Sequence, residues 1–170
     1  PDYTEVTIKI RDGVKWSDGV DFTADDVAFT INMLKANEKL QYGPEMKQWV
    51  TDAKATDPKT VVITLSGPNP RFIVSYFSVE IWRTILIAPK HIWEGQDPLT
   101  FTNFDLAKGW PIGTGPYKLV RSTESETVFD LLPTWWAATT GFHEMPIPKR
   151  AIWVGVPDES TRAAMASEGQ

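Results

Sequence analysis

The chain has 170 residues, enough for one good hydrophobic core or for one core and part of a second. It is 42% hydrophobic and 23% charged, with a formal net charge of −5; that is a globular balance, without the basic stripe that nucleic acid requires of a partner. It contains no cysteine, which excludes disulfides, thiolate metal sites and a Cys nucleophile, and no run approaches the roughly 20 apolar residues of a membrane span.

In chain order, Glu5 to Arg11 alternates with Val6, Ile8 and Ile10 on one face, the pattern of a half-buried strand. Asp12-Gly13 is a turn, and Val14 to Trp16 is expected as the return strand of a hairpin. After Ser17-Asp18-Gly19, Thr23 caps a helix, with Asp26 as its capping-box partner. Val27, Ala28, Ile31 and Leu34 form the buried stripe of that helix. Tyr42 to Trp49 is expected as a loop with a short helix. Val50 to Thr56 and Thr60 to Leu65 are two strands joined by a turn at Asp57-Pro58-Lys59. Asn69 and Pro70 are expected to open a helix running to Phe77, Thr84 to Ile87 a short strand, and Pro89 a helix that Gly95 ends. Gly113-Thr114-Gly115-Pro116 punctuates the chain. Tyr117 to Arg121, Thr127 to Leu132 and Arg150 to Val154 then read as strands, and Asp158 caps a final helix. These elements predict an α+β fold of mixed sheets with flanking helices. They divide it into an α+β unit over 1–113 and a β-rich unit over 114–170.

Eight tryptophans in a chain this size are the compositional anomaly. Core packing absorbs some of them, and Trp16 and Trp153 are expected inside. The others suit a surface on which planar or cyclic ligands stack. Trp110 sits in a Gly/Pro-rich approach with no periodic core slot, and Trp49 in a loop-like stretch. Glu80, Trp82 and Arg83 place a carboxylate, an indole and a guanidinium in one loop, which fits sugar hydroxyls or peptide termini. The candidate ligand-binding residues are therefore Trp82, Arg83, Trp110, Trp49 and Glu80, each also compatible with simple packing or a rim ion pair. Trp135 and Trp136, adjacent on an extended segment, are expected to face opposite ways. No catalytic set stands out: there is no nucleophile elbow, and no carboxylate pair is singled out for glycoside hydrolysis. His91 and His143 lack ligand spacing, so neither a metal site nor a cofactor is expected.

Arg11-Asp12-Gly13-Val14-Lys15-Trp16-Ser17-Asp18-Gly19, followed by Phe22-Thr23-Ala24-Asp25-Asp26-Val27, resembles a stretch typical of the family-5 extracellular solute-binding proteins. "IAPKHIWEG" at Ile87 to Gly95, "GTGPYKL" at Gly113 to Leu119 and "PTWW" at Pro133 to Trp136 agree in order. In the family the last of these usually reads as a Tyr-Trp or similar pair after an asparagine- or arginine-rich lead; "LLPTWW" departs from that and hints at an oligosaccharide-type branch. The resemblance implies part of the first lobe of a two-lobed periplasmic-binding-protein fold. It also implies location in the periplasm or on the outer face of the cytoplasmic membrane; the start at Pro1 is expected to be a processed or trimmed N-terminus, any signal peptide or lipoprotein anchor being lost before it. The function it implies is that of the solute-binding component of an ABC importer, not an enzyme, capturing an oligosaccharide or oligopeptide and delivering it to permease subunits. Closure of two lobes about a hinge would be driven by the ligand's preference for the closed state. The rival readings are a carbohydrate-active enzyme and a free-standing lectin-like module.

Overall fold

The computed structural model describes residues 2–78, 84–156 and 158–168. The chain divides into two compact units, Pro1–Asn103 and Phe104–Gln170, so the break falls upstream of the Gly113-Pro116 punctuation. The first unit carries β1 (Glu5–Lys9), α1 (Ala24–Ala36), α2 (Gly43–Trp49), β2 (Val50–Asp57), β3 (Thr60–Leu65), α3 (Phe72–Phe77) and α4 (Lys90–Trp93). The second carries β4 (Tyr117–Ser122), β5 (Glu126–Leu131), α5 (Trp136–Thr139), β6 (Arg150–Val154) and α6 (Glu159–Ser167).

The alternating run after Thr4 does form a strand, but its partner is not the expected one. β1 pairs antiparallel with β3, Val6 opposite Ile63 and Ile8 opposite Val61, and β3 pairs on its other side with β2. Val14 to Trp16 does not return along β1. Gly13 takes a φ of 72°, reached cheaply only by glycine, and the segment then pairs forward onto itself. Trp16 N–H donates to Val20 O at 2.8 Å and Phe22 N–H to Val14 O at 3.0 Å. This small closed loop drives Val14 and Trp16 into the interior.

The core lies between the sheet and its helices. β3 buries Val61, Ile63 and Leu65, and α1 lays Val27, Ile31 and Leu34 on them. Met46, Val50, Phe72 and Ile85 complete the layer. Side chains of this kind stabilise by about 1.5–3 kcal/mol each when fully buried, so this layer dominates the unit. At the start of α2, a Cβ on Gly43 would lie 2.2 Å from the carbonyl oxygen of Asn37, so no other residue fits. α3 starts later than Asn69 because the Asn69 Oδ1 accepts the Arg71 N–H at 3.2 Å, spending one turn before the helix proper. Thr84 to Ile87 is not a strand. The Ile85 N–H is satisfied by Tyr76 O at 2.9 Å and the Ala88 N–H by the Thr30 hydroxyl at 2.9 Å, so this stretch is tied to helices and not to a ladder.

In the second unit β4, β5 and β6 form an antiparallel sheet in that order. Val128, Leu132 and Ala137 are its buried apolar residues. Trp153 corrects the expectation of a core position: it is 71% exposed, flanked by the exposed Ile152 and Val154. An apolar strand pattern specifies which residues share a face, and among the described residues β6 pairs on one side only, with β5.

Candidate ligand-binding site

Trp110 closes a short, tightly specified segment. The Asp105 carboxylate accepts the Ala107 N–H at 3.1 Å and opens a single 3-10 turn over Leu106–Lys108. Gly109 then turns the chain at φ 77°, and the Trp110 N–H returns to Asp105 O at 2.9 Å. The Trp110-Pro111 peptide is cis. The indole is half-buried, with the Lys108 ammonium 4.7 Å from its ring centroid. A cation over one face of an indole at an exposed site stabilises by about 0.5–1 kcal/mol.

Trp49 ends α2 and is half-buried against the first unit's core. Beside it, the ring of Tyr76 packs edge-on to Tyr42 at 6.1 Å. Burial pushes the Tyr76 phenol above its ordinary range; the Glu45 carboxylate adds to this and the nearby Trp49 indole opposes it. Trp49 and Trp110 belong to different units. Glu80, Trp82 and Arg83 lie outside the described residues.

Two groupings escaped sequence reading. The first is an aromatic cluster in the second unit. Trp135 is extended and Trp136 begins α5, and this change of backbone conformation defeats the alternation expected of adjacent residues. Both indole N–H groups donate to one acceptor, Thr114 O, at 2.9 and 2.7 Å, with the rings edge to face at 5.9 Å. Phe142 lies nearly parallel to Trp136, 12° between planes and 5.7 Å between centroids, and His143 sits 6.0 Å from Trp135. The available signal was density: Trp135, Trp136, Phe142 and His143 fall within one short stretch of sequence.

The second grouping joins two of the motifs that carry the resemblance. Asp26 is buried at 4% exposure. Its Oδ2 accepts the Thr23 N–H at 2.8 Å, closing the capping box of α1, and its Oδ1 accepts the Lys90 N–H, the first of α4, at 2.8 Å. His91 Nε2 meets Asp18 Oδ2 at 2.8 Å beside it. An open groove runs between these elements, lined by Asp21, Asp25, Lys90 and Glu94 among others. Three of its charges are already paired, Asp21 with Lys15 and Glu94 with Lys90. The Lys15 ammonium holds the Asp21 carboxyl below its ordinary range, chiefly by a hydrogen bond. Among the described residues no group of three His, Asp or Glu side chains is placed to hold a metal ion, and no helix is long and apolar enough to cross a membrane.

The two units hold one antiparallel three-stranded sheet each, with flanking helices, and the fold's structural neighbours are periplasmic binding proteins. The fold matches the periplasmic oligopeptide-binding protein of an oligopeptide ABC transporter from Thermotoga maritima, in its mannohexaose-bound form, with a TM-score of 0.79. Identity is 28%, over 98% of this chain and 29% of that one. NikZ from Campylobacter jejuni, in complex with Ni(L-His), matches at a TM-score of 0.73 and 29% identity, over 99% of this chain and 31% of that one. The glutathione-binding protein GsiB of Shigella flexneri serotype 5b (strain 8401) is 32% identical over 169 residues, 96% of this chain and 29% of its own length. Residues 1–170 match the model of the bacterial extracellular solute-binding proteins, family 5 Middle, and the chain belongs to that family. It spans about three-tenths of the length of these relatives.

Proposed function

We propose that the chain is part of the substrate-binding component of an ABC importer, working in the periplasm or on the outer face of the cytoplasmic membrane and delivering an oligopeptide or oligosaccharide to permease subunits. The observation that carries this reading is the family match along the whole of 1–170 together with the shared fold. Its relatives support both cargo classes: GsiB is a glutathione-binding protein, and the Thermotoga protein was crystallised with mannohexaose. In this proposal residues 1–113 form an accessory unit of one lobe and 114–170 part of that lobe's sheet. Trp110, with Trp49, Glu80, Trp82 and Arg83, contributes to one wall of the cleft, and hinge closure buries the solute from the other side.

A single wall leaves much of a solute in water. Apolar burial stabilises by about 25 cal/mol per Å², and each 1.4 kcal/mol is about tenfold in affinity. Calorimetry with glutathione, mixed oligopeptides and mannohexaose tests the reading, on this chain and on the protein that carries it. The carrying protein should bind one of these classes, the chain alone only feebly, and Trp110→Ala should weaken binding more than folding. Tight binding by the chain alone would refute the two-wall mechanism.

A further inference from the structure

We propose that Asp12-Gly13 is a modification site, where the main chain rearranges without an enzyme, through a cyclic imide, to an isoaspartyl link. The fold shields the second Asp-Gly pair, Asp18-Gly19, from the same reaction. Both pairs lie in the first unit, and their chemistry is independent of the reading of the chain as a substrate-binding component.

The reaction needs two groups to be free at once. The amide nitrogen of the residue after an aspartate attacks the aspartate's Cγ. An N–Cγ bond forms, the Cγ–OH bond breaks, and the hydroxyl leaves as water with the amide proton. A second water then opens the five-membered imide. Opening at Cγ restores aspartate. Opening at the main-chain carbonyl carbon leaves the chain running through Cβ and Cγ, one methylene longer. Nothing is oxidised or reduced. A following glycine favours the attack, because no Cβ crowds its nitrogen and its backbone turns freely.

The chain has two Asp-Gly pairs, both in exposed turns, so sequence and exposure alone treat them alike. Their hydrogen bonding does not. The Asp12 side chain is 98% exposed, and the Lys59 ammonium stands 3.7 Å from its Oδ1; an exposed pair of that length restrains a carboxylate little. The Gly13 N–H has no acceptor among the described residues. At the second pair both reacting groups are engaged. The Gly19 N–H donates to Trp16 O at 2.9 Å. Asp18 Oδ1 accepts the Val20 N–H at 3.1 Å, and Oδ2 meets His91 Nε2 at 2.8 Å, which ties the turn to α4. Each hydrogen bond that must open before attack slows the reaction by up to about tenfold. At Asp12 the added methylene would fall between two tied points. The Ile10 N–H is bonded to Lys59 O at 2.8 Å, and Val14 O accepts the Phe22 N–H at 3.0 Å. The modification would therefore lengthen the base of the closed loop that buries Trp16.

The test is incubation of the 170-residue chain in heavy-oxygen water at about pH 5, where aspartates carry more protons than at neutrality. Opening of the imide places one heavy oxygen at the reacting residue whichever carbonyl is attacked. Peptide mass mapping with electron-transfer fragmentation locates that label and tells isoaspartate from aspartate. A parallel sample in concentrated urea removes the fold. In the folded chain, label and isoaspartate should accumulate at Asp12 at least about tenfold faster than at Asp18. In urea the two positions should react at similar rates. His91→Ala, which releases one Asp18 oxygen, should raise the rate at Asp18 and leave that at Asp12 unchanged. Absence of isoaspartate at Asp12, equal rates in the folded chain, or faster reaction at Asp18 would overturn the proposal. So would a preference for Asp12 that persists undiminished in urea, since neighbouring sequence and not the fold would then select the site.

Discussion

Replacing Asp26 by alanine should destabilise the first unit far more than an ordinary helix cap would. One carboxylate serves two helices: Oδ2 takes the Thr23 N–H of α1 and Oδ1 takes the Lys90 N–H of α4, each at 2.8 Å. The residue is 4% exposed, so water does not readily replace it. Losing an N-cap acceptor costs about 0.5–2 kcal/mol, and each buried donor left unsatisfied about 1–3 kcal/mol. Two such donors put Asp26→Ala at about 3 kcal/mol. With a urea slope of about 2 kcal/mol per M, the midpoint falls by about 1.5 M. Asp26→Asn keeps one oxygen and turns an amide NH2 towards the other donor, so it should recover about half of the loss. Thr23→Ala should cost no more than about 1 kcal/mol, because the hydroxyl stands 3.5 Å from Asp26 Oδ2 and the short bond belongs to the backbone. Urea melts followed by circular dichroism give the magnitudes, and amide exchange at Lys90 reports the second cap directly. Asp26→Ala and Thr23→Ala melting alike, with Lys90 still protected, would refute the reasoning.

Gly43→Ala should destabilise by about 3 kcal/mol or more, since its Cβ would meet Asn37 O at 2.2 Å and the opposing atoms are backbone; the same urea melts measure it. Trp153→Thr should change stability by no more than about 0.5 kcal/mol, because the indole is 71% exposed, while sedimentation shows less self-association through the apolar edge. The Asp158 carboxyl, hydrogen-bonded first by the Ser160 hydroxyl and then by Thr161, is held down to about 2. A carboxylate depressed in the folded state stabilises above its unfolded value near 3.8 and loses that contribution as pH falls through about 2. α6 should therefore keep its cap at pH 4 and fray below about pH 2, read as loss of Thr161 amide protection.

What could be read from the sequence was whatever a local pattern dictates. β1 and β3 alternate because one face of each meets the core, and Thr23 with Asp26 marked the first helix to the residue. Asp57, whose carboxylate accepts the Lys59 N–H at 2.8 Å, marked the turn between β2 and β3. Readings that required a partner went astray. Val14 to Trp16 has strand composition, but which strand it meets is decided by Gly13 and by bonds to Val20 and Phe22. Ile85 is apolar for a reason unrelated to strand pairing: it fills the core while its N–H goes to Tyr76. Of the candidate ligand residues, Trp110 lies as expected in an irregular Gly/Pro segment, and Trp49 ends the short helix of its stretch, half-buried against the first unit's core. The meeting of Trp135 and Trp136 on Thr114 joins positions about 20 residues apart, and no periodicity reports a bond of that kind.

Thr114 shows how a position can matter through its main chain alone. Its carbonyl carries both indoles, and a carbonyl oxygen has two lone pairs to give, so its accepting capacity is filled. The threonine side chain takes no part in these bonds. Chemical identity at 114 should accordingly drift freely among related chains while the peptide plane stays fixed, and the restraint on that plane would be visible one step away, in the paired tryptophans that read it. A residue scan by side-chain replacement would pass over this junction as neutral, whereas an ester in place of the amide that follows Thr114, which weakens its carbonyl as an acceptor, would loosen both rings together.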